Sequence, residues 1–392
     1  MMKKYQNMVK KKVGIITFHA SHNYGSMLQA YALQQTVLGM GFDCEIINFR
    51  TKIQTELFKP PFMRGTVLGK VKRFILFLPF NHSLLGKYEL FEKFLVSYFK
   101  LSDKKFSSLS ELNEANLPYD VIISGSDQIW NTYCHDFDWA YFLPFAKSAR
   151  RVAYAPSMGP EPNNSIKAGM EQQVRLLLES YDAISVRDSL AQEKLKKLAD
   201  IECPVMIDPT LLLPVKGWHD IAGDTPIVNG KYIFLYTPWY KKSVFDVAML
   251  ISKDLKLPVV VSQLYDNWKY NSWIVNKDFK SHISTGPKEF LNLCRFATCT
   301  IGASFHVVVF SILLRTPFYA IDGMKDSRVA ELLTMTGLES RSWDLQKAPL
   351  TVSLNIDFKS AIDRIEFVRN NCIEWLYKEL SNSFALDIQK KG

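Results

Sequence analysis

Val13-Gly-Ile-Ile-Thr-Phe18 and the loop after it, His19-Ala-Ser-His-Asn-Tyr-Gly25, set the fold class of this chain. The first run is short, apolar and rich in β-branched residues, which predicts a buried strand. Ser26 to Gly39 has the spacing of a helix, and Cys44 to Phe49 predicts a second strand. A strand, a loop, a helix and a strand in close succession predict a βαβ unit and therefore a parallel sheet.

The same alternation continues along the chain. Apolar runs predict strands at 120–124, 151–155, 183–186, 204–207, 231–236, 258–262, 299–302 and 318–321, and a long amphipathic helix at 357–380. Pro and Gly residues crowd 209–230, which is typical of a boundary between domains. A length of 392 residues also corresponds to about two domains.

We therefore predict two doubly wound, Rossmann-like α/β domains with a cleft between them. The domains cover 13–208 and 231–356, joined by a linker at 209–230. A basic tail (1–12) precedes them, and a helix and tail (357–392) follow. Ligands of such sheets bind beyond the carboxyl ends of the strands, so the loops there are the places to look for chemistry.

The net charge of +9 is concentrated in an insert at about 50–105, where twelve Lys or Arg face four acidic residues. A basic surface of this kind suits an anionic partner or substrate. Nucleic acid is not favoured, because no helix-turn-helix, RRM or KH pattern accompanies the charge. A solvated basic face and peripheral contact with anionic lipid both remain open. Apolar residues interleave with the charges: Phe58, Phe62, Phe74, Phe77, Leu78 and Phe80.

The expected location is cytoplasmic, with a possible peripheral position at the inner face of the membrane. The basic start of the chain is not followed by the apolar segment that a secretory signal needs. Six cysteines lie at separate positions without a CxxC pair, which favours free thiols in a reducing compartment. We name no metal site; a zinc site at His19 and His22 would need a third ligand that the sequence does not show.

Four loops carry polar residues at predicted strand ends. The first contains Asn23, Gly25 and Ser26 at a helix start, where backbone N–H groups favour anions. The second contains Ser126 and Asp127. Helix capping and turn formation are the alternative roles for the polar residues of these two loops.

The third loop contains Arg187, whose guanidinium group matches a carboxylate or phosphate; a structural Arg–Asp pair is the alternative. The fourth contains Ser304 and His306 at a helix start, where an imidazole could exchange protons with an anionic substrate. A lone histidine is, however, more often structural.

Several motifs in this order resemble the polysaccharide pyruvyl transferase family. They are Asn23-Tyr-Gly-Ser-Met-Leu-Gln-Ala-Tyr-Ala-Leu33, Val121-Ile-Ile-Ser-Gly-Ser-Asp-Gln-Ile-Trp-Asn131, Tyr154-Ala-Pro-Ser-Met-Gly159, Ile184-Ser-Val-Arg-Asp188, Ile207-Asp-Pro-Thr-Leu-Leu212, Gly286-Pro-Lys-Glu-Phe-Leu291 and Ser304-Phe-His306. The resemblance implies a GT-B-like fold. It also implies transfer of pyruvate from phosphoenolpyruvate to two hydroxyls of a sugar, as a ketal, in cell-surface polysaccharide biosynthesis. The donor is a substrate, and no cofactor is expected.

The resemblance also implies roles for single residues. Arg187 corresponds to the anion clamp, and His306 to a histidine that binds the donor and transfers a proton. We add Asp127 as a catalytic residue on the sugar side, while Asn23, Gly25, Ser26, Ser126 and Ser304 are predicted to line the substrate site. The acceptor is expected to be a saccharide, which could be linked to a lipid.

The chain departs from the family pattern around the histidine. Val307 and Val308 follow it where many members have Gly-Thr, and Ser304 stands where some members have Arg. Two alternatives therefore stay open: a nucleotide-sugar glycosyltransferase of GT-B type, and a non-catalytic member of the family that binds a saccharide.

Overall fold

Two parallel β-sheets, each flanked by helices, form the framework of the protein. The computed structural model describes residues 11–159, 166–346 and 352–382. Most of the predicted N-terminal tail, residues 1–10, and the end of the chain, residues 383–392, lie outside the described residues. The prediction of two doubly wound α/β domains is confirmed.

The first sheet is built around the N-terminal strand, in the order β2-β1-β3-β4-β5. All of its strand pairs are parallel, and Ile15 on the N-terminal strand, an interior strand of the sheet, lies between Ile46 and Ile123. The apolar run predicted this position, because a central strand of a parallel sheet is covered on both faces. The strands are β1 (Lys12–Ile16), β2 (Asp43–Ile46), β3 (Val121–Ser124), β4 (Arg150–Ala153) and β5 (Ala183–Ile184).

The second sheet is also parallel throughout, in the order β11-β10-β9-β6-β7-β8. Its central strands β9 and β6 are completely buried. The strands are β6 (Ile233–Tyr236), β7 (Val259–Val261), β8 (Phe279–Ser281), β9 (Cys299–Gly302), β10 (Phe318–Ile321) and β11 (Ser342–Trp343).

Helices connect the strands and cover both sheets. Side chains mark several of their starts: Asp188 and Asp326 each accept a bond from backbone N–H groups of the helix that follows. The helices are α1 (Tyr24–Gly39), α2 (Lys52–Leu57), α3 (Val67–Leu76), α4 (Asn81–Tyr98), α5 (Leu109–Glu114), α6 (Glu171–Leu178), α7 (Ser189–Ala199), α8 (Val215–Ala222), α9 (Lys242–Leu255), α10 (Pro287–Phe296), α11 (Phe305–Leu313), α12 (Ser327–Thr336) and α13 (Phe358–Ser381). None of the helices in the described ranges has the length and apolarity needed to cross a bilayer.

The structure differs from the sequence prediction at the sheet margins. The strand predicted at 204–207 is reduced to a single parallel bridge between Val186 and Val205. The segment 209–230 is more than a connection, because it contains α8. Trp218 on that helix is fully buried against Phe310.

The insert at 50–105 is largely helical and contains α2, α3 and α4. Phe77 is buried, and both Phe77 and Phe80 pack on Trp268 in the second domain. These two aromatic side chains hold the insert against the second domain, and buried Phe77 has no surface to offer a lipid. Phe58 lies stacked against His22.

The two sheets are held together by apolar packing. Tyr24, at the start of α1, stacks on Phe290 of α10 with ring centroids 4.5 Å apart. Its hydroxyl donates to the carbonyl oxygen of Thr285. At the other end of the molecule α13 returns to the first sheet, where Arg150 pairs with Glu379 at 2.6 Å. One continuous apolar core therefore spans both domains.

Candidate active site

Loops from both domains bring four ionisable side chains together. Arg187 follows β5, Asp208 follows the bridge at Val205, and Asp127 follows β3. His306 lies in the first turn of α11, after β9. Since all of these loops leave the carboxyl ends of parallel strands, they meet at the position where such sheets bind ligands.

Asp208 is the centre of the cluster. Its Oδ2 accepts a hydrogen bond from Arg187 Nη1 at 2.8 Å and lies 3.6 Å from His306 Nε2. Its Oδ1 accepts from the backbone N–H and the hydroxyl of Thr210. Burial alone would raise the pKa of this carboxyl group, but His306 and Arg187 hold the pKa far below its ordinary value. Asp208 is therefore a fixed negative charge.

The side chains of Arg187 and His306 both face the Asp208 carboxylate, and both have N–H donors that make no hydrogen bond to the described residues. The Arg187 side chain is 2% exposed, and its Nε and Nη2 have no hydrogen-bond partner in the described part of the chain. The same holds for Nε2 of His306. Buried donors are normally paired, so these atoms point to a ligand that accepts hydrogen bonds. The guanidinium group suits a carboxylate or a phosphate.

The N-terminus of α11 adds to the attraction for an anion. Ser304 is the N-cap, but its side chain makes no capping bond to the helix. The free backbone N–H groups and the helix dipole at this end favour negative charge. Phe305 lies under the Arg187 guanidinium, with 5.4 Å from its carbon to the ring centroid, and this contact orients the guanidinium group.

Gly25 allows the imidazole of His306 to reach its position. A Cβ atom at residue 25 would overlap Nδ1 of His306. The ring therefore packs directly on the backbone of the first turn of α1. Asn23 accepts the N–H groups of Gly25 and Ser26 and is the N-cap of that helix, as the structural alternative predicted.

Asp127 joins the cluster from the other side. Its Oδ2 accepts the hydroxyl of Ser26 at 2.5 Å, its Oδ1 accepts the N–H of Gln128, and Oδ1 lies 3.9 Å from Arg187 Nη1. The backbone of Asp127 has φ of 75°, a conformation that costs energy for a residue other than glycine. A carboxylate held in this way can accept a proton from a bound hydroxyl group.

Ser126 supports the loop from below. It is fully buried, its hydroxyl donates to the carbonyl oxygen of Ala155 and its N–H donates to Gln29 Oε1. The hydroxyl and the N–H of Ser126 are thus bonded to residues of the protein interior. The hydroxyl of Ser26, in contrast, bonds Asp127 directly.

The two valines that depart from the family pattern are part of the core. Val307 and Val308 are both 2% exposed. A Cβ atom at Gly302 would lie 2.6 Å from a methyl carbon of Val307, so this valine packs on the end of β9. The substitutions therefore fill space under the first turn of α11.

Three residues near the site were not singled out from the sequence. Asp208 belongs to an Asp-Pro-Thr motif after a predicted strand, and that position was the available signal. Asp136 accepts a bond from Ser21, and burial together with the charge of Asp127 raises its pKa to about 6. Arg328 on α12 pairs with Asp326, and no spacing in the sequence connects it to the first domain.

His19 and His22 are held in different surroundings. His19 is fully buried beneath the sheet, and burial lowers its pKa to about 4. His22 Nε2 lies 2.8 Å from Glu92 Oε1. The carboxylate of Glu92 also accepts hydrogen bonds from Nη1 and Nη2 of Arg50. Among the described residues, no group of three or more His, Cys, Asp or Glu side chains could hold a metal ion.

Known structures share the overall architecture at low sequence identity. The chain is similar to Methanocaldococcus jannaschii UDP-GlcNAc 2-epimerase, at 13% identity and a TM-score of 0.51 over 92% of this chain and 93% of that one. It is also similar to S. aureus MnaA, at 10% identity and a TM-score of 0.52 over 96% and 91%. These similarities show the two-domain fold.

Family membership comes from the sequence. No curated protein matches the chain significantly. The sequence profile of the family called "Polysaccharide pyruvyl transferase" matches residues 23–323, which is more than half of the chain and includes all four residues of the cluster. The resemblance of the motifs is thereby confirmed, and the chain belongs to the polysaccharide pyruvyl transferase family.

Proposed function

We propose that the protein transfers the pyruvyl group of phosphoenolpyruvate to two hydroxyls of a saccharide and forms a ketal. The family supports a transferase of this kind. The observation that carries the proposal is the cluster of Arg187, His306 and Asp208, in which buried donor atoms of Arg187 and His306 lack partners among the described residues. Such a site suits a small anion with several acceptor oxygens.

Phosphoenolpyruvate would bind with its negative groups at Arg187 and at the N-terminus of α11. The guanidinium Nε and Nη2 form one edge of the planar group and can bond two oxygens of one carboxylate or phosphate. Nη1 remains hydrogen-bonded to Asp208, and this bond would fix the guanidinium group with its Nε and Nη2 available to the donor. His306 is close by, since its Nε2 lies 3.6 Å from the carboxylate oxygen of Asp208 that Nη1 of Arg187 bonds.

The chemistry starts with a proton. The imidazolium of His306, held by Asp208, gives a proton to the methylene carbon of the donor, and the adjacent carbon becomes cationic. The first sugar hydroxyl bonds to that carbon while Asp127 takes its proton. The bond from carbon to the phosphate oxygen then breaks, and Asp127 gives its proton to the departing oxygen, so that hydrogen phosphate leaves and Asp127 is again a carboxylate. The second hydroxyl attacks the new cation, and its proton returns to His306, which completes the ketal.

The acceptor in this proposal is a saccharide of a cell-surface polymer, carried on a lipid or free. Asp127 and Ser26 lie on the first-domain side of the cluster, where the sugar hydroxyls would approach. The proposal requires no separate cofactor, because the donor itself supplies the phosphate leaving group.

A binding titration tests the donor site without knowledge of the acceptor. Purified protein is titrated with phosphoenolpyruvate and, separately, with uridine diphosphate, and unfolding temperature and heat are followed. A donor at 100 times its Kd adds about 2.7 kcal/mol to the free energy of unfolding. We expect this stabilisation with phosphoenolpyruvate. We expect it to be lost in Arg187→Lys, which keeps the charge but not the fork, and in His306→Gln.

Arg175→Lys is the matched control, because Arg175 is an exposed arginine that also pairs with a carboxylate, Glu179 at 2.8 Å. This variant should bind like the unaltered protein. Stabilisation by uridine diphosphate alone would contradict the proposal and favour a nucleotide-sugar enzyme. Sugar binding without any response to the donor would favour a non-catalytic role.

A further inference from the structure

Helix α3 carries an apolar face that the described part of the chain leaves uncovered. None of its residues is buried. The five large apolar side chains of this face are each between 47% and 81% exposed, although isolated exposed residues are the usual case in soluble proteins. The apolar face of α3 consists of Val67, Leu68, Val71, Phe74 and Ile75.

Helical spacing puts these side chains on one side. With 3.6 residues per turn they fall within an arc of about 120°. Lys70 and Lys72 flank that arc, one on each edge, and both are exposed. Arg73 lies on the opposite side and holds the helix to the protein, because its side chain donates to the carbonyl oxygens of Pro61 and Arg64.

The stretch of sequence that contains α3 is basic, although in the structure Glu56 accepts the N–H of Gly65 and Asp266 pairs with Arg64 nearby. No Asp or Glu occurs between Glu56 and Glu89, whereas that stretch has six Lys or Arg. Among the described residues, neither Lys70 nor Lys72 forms an ion pair with a carboxylate. Trp268 packs beside the end of the helix on Phe77 and is 37% exposed. Indole rings of this kind are common where apolar and aqueous phases meet.

From this arrangement we infer that α3 docks the protein on an anionic lipid bilayer. The helix would lie in the plane of the interface, with its apolar face in the acyl boundary and its two flanking lysines at the headgroups. It has ten residues, or about 15 Å, and so cannot span the bilayer. This inference goes beyond the proposed function and does not depend on it.

Other partners fit the observations less well. In a symmetric dimer through α3, the flanking lysines of the two copies would face each other and repel. A lipid surface accounts for the apolar face and the flanking lysines together, since acyl chains accept the apolar face and anionic headgroups attract the lysines.

Vesicle flotation tests the inference with the full chain. Vesicles of phosphatidylcholine and phosphatidylglycerol in equal parts are compared with pure phosphatidylcholine, in the absence of donor and acceptor. We expect binding to the anionic vesicles, weakening as salt is added. Leu68→Glu combined with Ile75→Glu should abolish this binding. Lys70→Gln combined with Lys72→Gln should weaken it about thirtyfold, from about 1 kcal/mol for each lysine.

Val96→Glu is the control, because Val96 is 78% exposed on α4 and is an apolar residue outside this face. It should bind like the unaltered protein, and all variants should keep their unfolding temperature since none changes a buried side chain. Absence of binding to anionic vesicles, or unaltered binding by the glutamate variant, would overturn the inference. A concentration-dependent dimer that Leu68→Glu breaks would also overturn it, and would assign the face to a second copy.

Discussion

Asp208 determines the charge of the site at the scale of single residues. Its carboxylate is completely buried and is shared by Arg187 and His306. Removal of one partner from a buried ion pair commonly costs about 3–5 kcal/mol, because the remaining charge stays in a medium of low polarity. Asp208→Asn keeps the shape and removes the charge, so we expect a loss of this size in urea unfolding. Asp200→Asn, in an exposed ion pair with Lys196, should give no measurable loss.

The contribution of Asp208 to the free energy of unfolding should depend on pH. The folded-state pKa of Asp208 lies below its unfolded value of about 3.9. The stability from this group is therefore complete above that value and is lost as the pH falls below it. The difference in unfolding free energy between the unaltered protein and Asp208→Asn should therefore shrink as the pH falls below about 3.9. A difference that stays unchanged or grows over that acid range would contradict the assignment.

Gly25 and His306 are expected to be coupled. A methyl group at residue 25 would overlap the imidazole ring, so Gly25→Ala must displace the ring or the first turn of α1. We expect a lower unfolding temperature and loss of donor binding in Gly25→Ala. In the His306→Ala background, the same change should have little effect on the unfolding temperature, because the overlap is gone.

Gly217→Ala is the control for that cycle. Gly217 lies on α8 with open space around its Cβ position, so the change should be neutral or slightly stabilising. Equal effects of Gly25→Ala in both backgrounds would show that the contact with His306 is not the cause.

At the scale of elements, the strands that are buried on both faces were predictable and those at the margins were not. β6 and β7 are continuous apolar runs, and such runs identify a buried strand. β8 has one buried residue and two exposed ones, and β11 has two residues in all, so neither has a pattern that sequence reasoning can detect.

The candidate site shows the same limit. Arg187, His306 and Asp127 stand directly after predicted strands, and the topology of a parallel sheet brings such residues together. Asp208 follows a strand that exists only as one bridge, and Asp-Pro is also an ordinary turn signal. Its role depends on contacts between residues far apart in the chain, which spacing does not reveal.

Helix α13 fastens the second domain to the first. Leu376 is fully buried in the common core, while Phe367 on the same helix is 73% exposed. Leu376→Ala should lower the free energy of unfolding by about 2–5 kcal/mol, because a cavity is left in the core. Phe367→Ala should change it little. A small effect at Leu376 in urea unfolding would mean that α13 adds little to the stability of the whole.

At the scale of the whole molecule, the site is complete only when the two domains are docked. Arg187, Asp208 and Gly25 belong to the first domain, whereas His306 lies on α11 of the second domain. Tyr24 links the two halves, since it comes from α1 and is buried against Phe290 and Tyr236. The apolar contact at the domain boundary is thus adjacent to Gly25, on which the ring of His306 packs.

Tyr24→Ala tests this dependence. Loss of a buried aromatic side chain costs about 3–5 kcal/mol, and here that loss falls on the contact between domains. We expect weaker binding of phosphoenolpyruvate and a larger radius of gyration in X-ray scattering. Tyr133→Ala, at a half-exposed tyrosine of the first domain, should change neither. Unaltered donor affinity in Tyr24→Ala would show that the cluster forms without this contact.

The positive net charge of the chain suits the two anionic partners proposed above, the donor and a lipid surface. The proposed donor is an anion, and the basic insert at 50–105 belongs to the first domain, which also supplies Arg187. Donor binding and lipid binding are proposed to use different cationic groups. Arg187 is buried, whereas the lysines of α3 are exposed. Binding of donor and binding of vesicles should therefore be separable by substitution.

A crystal structure of the protein with phosphoenolpyruvate tests the central claim most directly. The expected result is a donor molecule at the N-terminus of α11, with its oxygens bonded to Nε and Nη2 of Arg187 and its methylene carbon within reach of His306. Asp208 should keep its bond to Nη1. A donor bound away from Arg187 and His306, at a concentration that saturates the protein in solution, would contradict the account.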